Sequence, residues 1–197
     1  AFALVIAVAV FPPYYSSVTD EILSIGSWTF TNTSIYAWTL SAAYLISALF
    51  SPLLSGIADV GGRRKKFLQF FTYLGGISCI GLFWFHESHL WWLGILLFFF
   101  SILGFSGGLV FYNSYLPAIT TEEKMDKVSA RGFSFGYIGS VILLILCLAF
   151  IQFAPQMGIT DGGLPVRISF IAVGIWWIGF GQYSFNRLPP DKTKGKW

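Results

Sequence analysis

The chain has 197 residues, of which 55% are apolar, 19% aromatic and only 11% charged, with a formal net charge of +3. Soluble domains carry about 25% Asp, Glu, Lys and Arg, so a mean hydropathy of +0.70 leaves too few charges to cover a water-facing surface. That excludes the soluble enzyme classes, and it also excludes disorder, which needs low hydrophobicity and high charge.

A helix needs about 20 mostly apolar residues to cross ~30 Å of hydrocarbon. The first apolar stretch, 1–15, is short and already apolar at Ala1, which predicts a helix that has lost its front end and a chain that is a fragment. Its Pro12-Pro13-Tyr14-Tyr15 segment reads as an interfacial exit. Five further stretches are long enough to span: 35–57, 67–85, 90–116, 132–153 and 165–185. None has the two-residue alternation of a transmembrane barrel, so helices must satisfy the backbone in lipid. The expected fold is an all-α membrane protein, a six-helix bundle over 1–185 followed by the start of a linker at 186–197.

Basic residues set the orientation. The loop after span two holds Arg63, Arg64, Lys65 and Lys66, the loop after span four holds Lys124, Lys127 and Arg131, and the tail holds Arg187, Lys192, Lys194 and Lys196. All fall on one face, and Arg167 stands alone on the other with Asp20, Glu21, Glu87 and Asp161. The positive-inside rule makes the basic face, and both chain ends, cytoplasmic. Tyr14, Tyr15, Tyr36, Trp38, Trp84, Trp91 and Trp92 fall at the opposite ends of the spans, where amphipathic rings favour the headgroup region. Trp176 and Trp177 lie too deep for that belt and read as packing against a neighbouring helix.

Cys79 and Cys147 lie inside apolar runs, so no disulfide framework or CxxC metal site is expected. His86-Glu87-Ser88-His89 lacks the His-Glu-x-x-His spacing, and no metal or cofactor is expected there or elsewhere. Asn32-Thr33-Ser34 matches a glycosylation sequon weakly. No phosphate-cradling loop, catalytic triad or nucleic-acid-binding face is present. Two small-xxx-small spacings, Gly104 to Gly108 and Gly132 to Gly136, predict close helix packing. Tyr112, Asn113 and Tyr115 occupy neighbouring faces of one turn near the end of span four, and Ser134 and Tyr137 form a weaker polar face on span five. These five residues read either as interhelical hydrogen-bonding groups or as the lining of a translocation cavity.

The loop after span two carries Gly56, Asp59, Gly62, Arg63 and Arg64. That spacing resembles the signature loop of the major facilitator superfamily, with Val60 where many members place Arg. Longer blocks resemble its vacuole-effluxer-like branch, which includes bacterial permeases and a fungal autophagy-related vacuolar amino-acid effluxer: Phe11-Pro12-Pro13-Tyr14-Tyr15, the run 51–59, the run 108–117, the run 128–139 and Trp176-Trp177-Ile178-Gly179-Phe180. The resemblance implies two inverted three-helix repeats forming the N-terminal half of a twelve-helix secondary transporter. It further implies a missing C-terminal six-helix half, a small polar solute as cargo with amino acids leading, and a gating role for the signature loop. The expected surroundings are the lipid bilayer, in a bacterial plasma membrane or a vacuolar one, with the solute as partner and no nucleic acid. The alternative is a six-span structural or channel-forming homodimer; an intramembrane enzyme is disfavoured because the spans hold no titratable side chain away from their ends.

Overall fold

A computed structural model describes residues 9–61 and 63–189, without the side chains of 57–61. It is an all-α membrane bundle with one small hairpin. Helix α1 (Phe11–Val18) leads into strands β1 (Ile22–Ile25) and β2 (Trp28–Thr31), then α2 (Asn32–Gly61), α3 (Arg64–Gly81), α4 (Trp91–Ser114), the single turn α5 (Leu116–Ile119), α6 (Met125–Phe153) and α7 (Leu164–Arg187). Five of these helical segments are long and apolar enough to cross a membrane: Asn32–Gly56, Arg64–Trp84, Ser88–Ile119, Glu122–Met157 and Leu164–Arg187. Helix α6 begins well before the apolar stretch at Gly132, because its Lys127 and Arg131 continue the helix into the charged loop region.

Small residues make α3 the centre of the bundle. It packs on α4 and on α7, while α2 packs on α4 and α6 only lightly on α7. Along α4 the buried residues are Gly94, Phe98, Ser101, Ile102, Gly104, Gly107 and Phe111, a band wide enough to meet both α3 and α2. A Cβ at Gly104 would stand 2.5 Å from the Gly75 backbone, and one at Gly174 would stand 2.6 Å from the Gly76 carbonyl oxygen. Glycine at these contacts lets the helix backbones approach within van der Waals range, as in lipid-embedded small-residue interfaces. Trp177 lies across Gly75, and Ile178 across Gly76, so the deep Trp177 does pack against a neighbouring helix. Tyr73 Oη, donating to Gln182 Oε1 at 2.6 Å, ties α3 to α7 by a polar bond, and Cys79 Sγ lies 3.1 Å from Ser101 Oγ between α3 and α4. Helix α2 carries Pro52 in its interior, which removes one backbone bond and favours a bend there.

The end of the bundle that carries the hairpin has an aromatic core. Phe11 stacks on Phe98 with centroids 4.5 Å apart, and Tyr14 meets Phe85 and Phe170 edge-on at 5.8 and 5.6 Å. Tyr14 and Tyr15 are therefore buried, which corrects their reading as an interfacial belt: Phe85, Phe98 and Phe170 close around α1 and take both rings into the core. Tyr14 Oη finds its partner in the Phe85 carbonyl at 2.9 Å. Trp38, Trp84 and Trp92 remain exposed at this end.

The hairpin was not anticipated, although its signal is local. Gly26-Ser27 joins two short β-prone runs, with Ile25 paired to Trp28 and Gly26 at φ +64°. A two-residue loop with glycine first is a preferred hairpin connection. Asn32 Nδ2 donates to Thr19 Oγ1 at 3.1 Å, and Thr19 Oγ1 donates to the Tyr15 carbonyl at 2.7 Å, anchoring the hairpin to α1.

Candidate functional site

The basic end of the bundle gathers most of the residues singled out in sequence. Arg63 precedes α3 and is exposed. Arg64 Nη1 donates to the Ser114 carbonyl at 3.2 Å, where a guanidinium meets the unsatisfied carbonyls and partial negative charge of a helix C-terminus. The signature loop and the polar turn of span four thus meet at one point. Gly56 lies on α2 with open space where a Cβ would be. The Asp59 side chain and Gly62 lie outside the described residues.

The five candidate cavity residues divide. Tyr115 is buried with Leu68, Phe111 and Phe185 in a second apolar cluster, where Phe67 and Phe111 stack at 5.1 Å. Tyr112 and Asn113 are exposed one turn away. Tyr112 reaches α6, meeting Phe133 edge-on at 6.3 Å and placing its hydroxyl over the Cα of Gly132, where a Cβ would collide with it. Ser134 and Tyr137 are exposed farther along α6, with Ser134 Oγ donating to the Ala130 carbonyl at 2.8 Å. Tyr112, Asn113, Ser134 and Tyr137 are therefore exposed polar side chains on α4 and α6, with only Tyr112 bridging the two helices, and Tyr115 belongs to the core.

The glycine pairs also divide. Gly104 is a close-packing contact, but its companion is Gly107, which faces the Phe71 ring; Gly108 has only an ordinary contact with Phe71 Cβ at 3.8 Å. Gly132 makes room for Tyr112, and the Gly136 carbonyl accepts a bond from Ser140 Oγ at 2.7 Å. Gly75, Gly76 and Gly174 were missed. Their adjacent Gly-Gly and lone-glycine patterns carry no four-residue repeat, and only the facing helix reveals their use.

At the hairpin end, Arg167 and Asp161 form an ion pair, Nη2 to Oδ2 at 2.7 Å. Asp161 Oδ1 also accepts the Gly163 N–H at 2.9 Å. That bond first, and the Arg167 charge after desolvation is offset, hold the Asp161 carboxyl below its usual range. His86 Nε2 and His89 Nδ1 face the two oxygens of Glu87 at 3.3 and 3.0 Å. Asn32 of the sequon is buried, with its amide nitrogen committed to Thr19, so the folded chain does not present it to a glycosylating enzyme.

Comparison with known proteins follows the same line. The family model described as "Vacuole effluxer Atg22 like" matches residues 14–196. An uncharacterized MFS-type transporter, YxiO, of Bacillus subtilis (strain 168) is 37% identical over 179 residues, covering 90% of this chain and 41% of that protein. Autophagy-related protein 22-1 of Phaeosphaeria nodorum is 23% identical, covering 76% of this chain and 32% of that protein. Autophagy-related protein 22 of Botryotinia fuckeliana is 24% identical, covering 76% and 34%. The chain thus spans well under half the length of these relatives. No solved structure matches it. With the matching model running from the end of α1 through α7 and beyond, this multi-pass membrane chain belongs to the vacuole effluxer Atg22-like family.

Proposed function

We propose that the chain is the N-terminal six-helix half of a secondary active transporter for a small polar solute, with amino acids the leading cargo, completed by a second six-helix half. The observation that carries this reading is the exposure of four polar side chains on α4 and α6. Tyr112, Asn113, Ser134 and Tyr137 project from the outside of the half-bundle, not into its core. Polar side chains turned toward lipid are costly, whereas the wall of a hydrated cavity between two halves suits them. The coverage of 41% of the bacterial relative supports the same division of the parent protein.

In this reading the basic end and both chain ends face the cytoplasm, in keeping with the positive-inside rule. The signature loop gates that side. Intramembrane titratable groups usually mark proton relays, and residues 2–185 carry their acids and bases at span boundaries. Any ion coupling then falls to residues outside this stretch.

The test is a flux screen of the full-length parent protein in vesicles against radiolabelled amino acids and small peptides, beside Asn113→Leu and Tyr137→Phe. Saturable flux that falls in both variants supports the reading. Passive, unsaturable conductance unaffected by either variant would sink it and favour a channel.

A further inference from the structure

A groove of about 380 Å³ opens between α2 and α4 at the hairpin end, within the roughly 300–1,000 Å³ typical of small-molecule sites. Trp38 and Ala42 form its α2 wall, and Trp92, Ile95, Leu96 and Phe99 its α4 wall. Its one hydroxyl, Thr39 Oγ1, donates to the Ile35 carbonyl at 2.7 Å, so that group is already satisfied. Phe30 of β2 meets Trp38 edge-on at 5.1 Å, which brings the hairpin to the rim of the groove. Leu23, Ile25, Trp28 and Phe30 share one face of the hairpin. Leu23 is buried, whereas Ile25 and Trp28 are exposed and continue the apolar surface beyond Phe30.

The groove opens away from the exposed polar side chains of α4 and α6. Trp92 and Tyr112 are twenty positions apart, and at about 100° per residue they point to nearly opposite sides of α4. Tyr112 faces Phe133 on α6, so the exposed Trp92 and Leu96 lie on the far side. With the second half on the polar side, as proposed above, the groove is left to the bilayer. Indole rings favour the headgroup boundary. Phe99 lies seven residues beyond Trp92, ~10 Å deeper at 1.5 Å per residue, and so at hydrocarbon depth. An unfilled groove forfeits dispersion contacts along its walls. An extended peptide entering it would bring backbone groups that these walls cannot pair. A flexible hydrocarbon chain fills the groove without that cost.

We propose that this groove is a phospholipid seat. It holds one acyl chain from the leaflet on the hairpin side, with Trp38 and Trp92 at the headgroup boundary and Ile95, Leu96 and Phe99 along the chain. The seat rests on the placement of the second half but not on which solute is moved.

The test uses full-length parent protein in maltoside detergent, with about one phosphatidylglycerol per protein carrying a photoreactive diazirine midway along one chain. At that ratio no lipid annulus forms. After illumination, mass spectrometry of peptides should place most of the label within 38–42 and 91–99. Exposed apolar positions elsewhere, such as Ile77 and Ile145, should take little. A tenfold excess of unlabelled phosphatidylglycerol should lower groove labelling roughly tenfold by mass action. Ala42→Phe, at an exposed groove position, should abolish it by filling the space. Ala48→Phe, equally exposed on α2 but outside the groove, should leave it unchanged, which separates occupancy from a general disturbance of the helix. Label spread evenly over Ile77, Ile145 and the groove would show ordinary lipid contact and overturn the proposal. An unlabelled groove would show that protein covers it, from the second half or a second copy, and would overturn it too. Survival of the label in Ala42→Phe has the same consequence. Labelling needs no transport, so a failed flux screen removes the proposed cargo and leaves this result readable.

Discussion

Arg64 Nη1 donates to the Ser114 carbonyl across 50 residues of sequence, 3.2 Å apart, and so fastens the first turn of α3 to the last turn of α4. Both helices end here at the basic face, where the carbonyls of α4 lack intrahelical partners. A cation at a helix C-terminus contributes about 0.3–1 kcal/mol when exposed and up to ~2 kcal/mol when partly buried. Arg64→Gln is expected to lose about 1 kcal/mol of stability, read as a lower thermal midpoint in detergent, while Lys65→Gln, one position on, shows a smaller drop. Equal drops in the two variants would mean the bond to Ser114 adds nothing specific.

Gly104 and Gly108 look alike in sequence and differ in the fold. Gly104→Ala pushes a methyl group into the Gly75 backbone, and overpacking of that kind typically costs about 1–3 kcal/mol. Gly108→Ala meets only Phe71 Cβ at 3.8 Å and should be neutral, or slightly stabilising through helix propensity. Thermal midpoints of the two variants give the answer, and similar losses at both positions would contradict the α3–α4 packing.

The orientation rests on the uneven distribution of Lys and Arg. Single cysteines placed in the 155–165 loop should react with an impermeant thiol reagent applied to intact cells, and cysteines placed at 59–66 should react only after permeabilisation. The reverse pattern overturns the cytoplasmic assignment of the basic end.

Asp161 supplies a pH dependence with a definite sign. Its folded-state carboxyl is held below the ordinary aspartate value of 3.8, first by the Gly163 N–H and then by Arg167. A depressed carboxylate contributes stability that is fully present above its unfolded value and lost as pH falls through the folded one. The start of α7 should therefore be insensitive to pH between 7 and 5 on account of this group, and should loosen below about 4. Asp161→Asn should remove that acid-side component. Amide exchange at 163–167, followed across pH in both proteins, makes the comparison; an identical acid response in the variant would show that Asp161 does not set it.

Asp59 carries the gating expectation drawn from the signature loop. A carboxylate latching helix ends contributes about 0.3–1 kcal/mol when exposed, enough to shift two nearly balanced conformations several-fold. Asp59→Asn is expected to slow transport by the parent protein and to raise the labelling rate of an Asn113→Cys thiol from the basic side. If labelling does not rise, Asp59 only shapes the turn.

Much of the architecture was legible without a structure because hydropathy and charge are properties of short windows. Apolar stretches such as 90–116 and 132–153 announce spans on their own, the basic loops announce a side, and the blocks around Gly56-Ile57-Ala58-Asp59 and Trp176-Trp177 announce a family. The Gly26-Ser27 hairpin was equally local, and attention to its two-residue turn would have found it.

What the tertiary structure alone decided is which side chain meets which, because a partner 50 or 70 residues away leaves no trace in a local window. Tyr112 and Tyr115 are three positions apart in one polar run, yet one opens on the bundle edge and the other is core, since only the Tyr115 side of α4 faces α3 and α7. Tyr14 and Tyr15 carry the composition of an interfacial belt, but Phe85, Phe98 and Phe170 converge on α1 and bury them. Arg167 read as a lone exception to the charge rule. Folding places it in a cleft with Asp161 and Glu87, joining the charges of two separate segments that a sequence can only count.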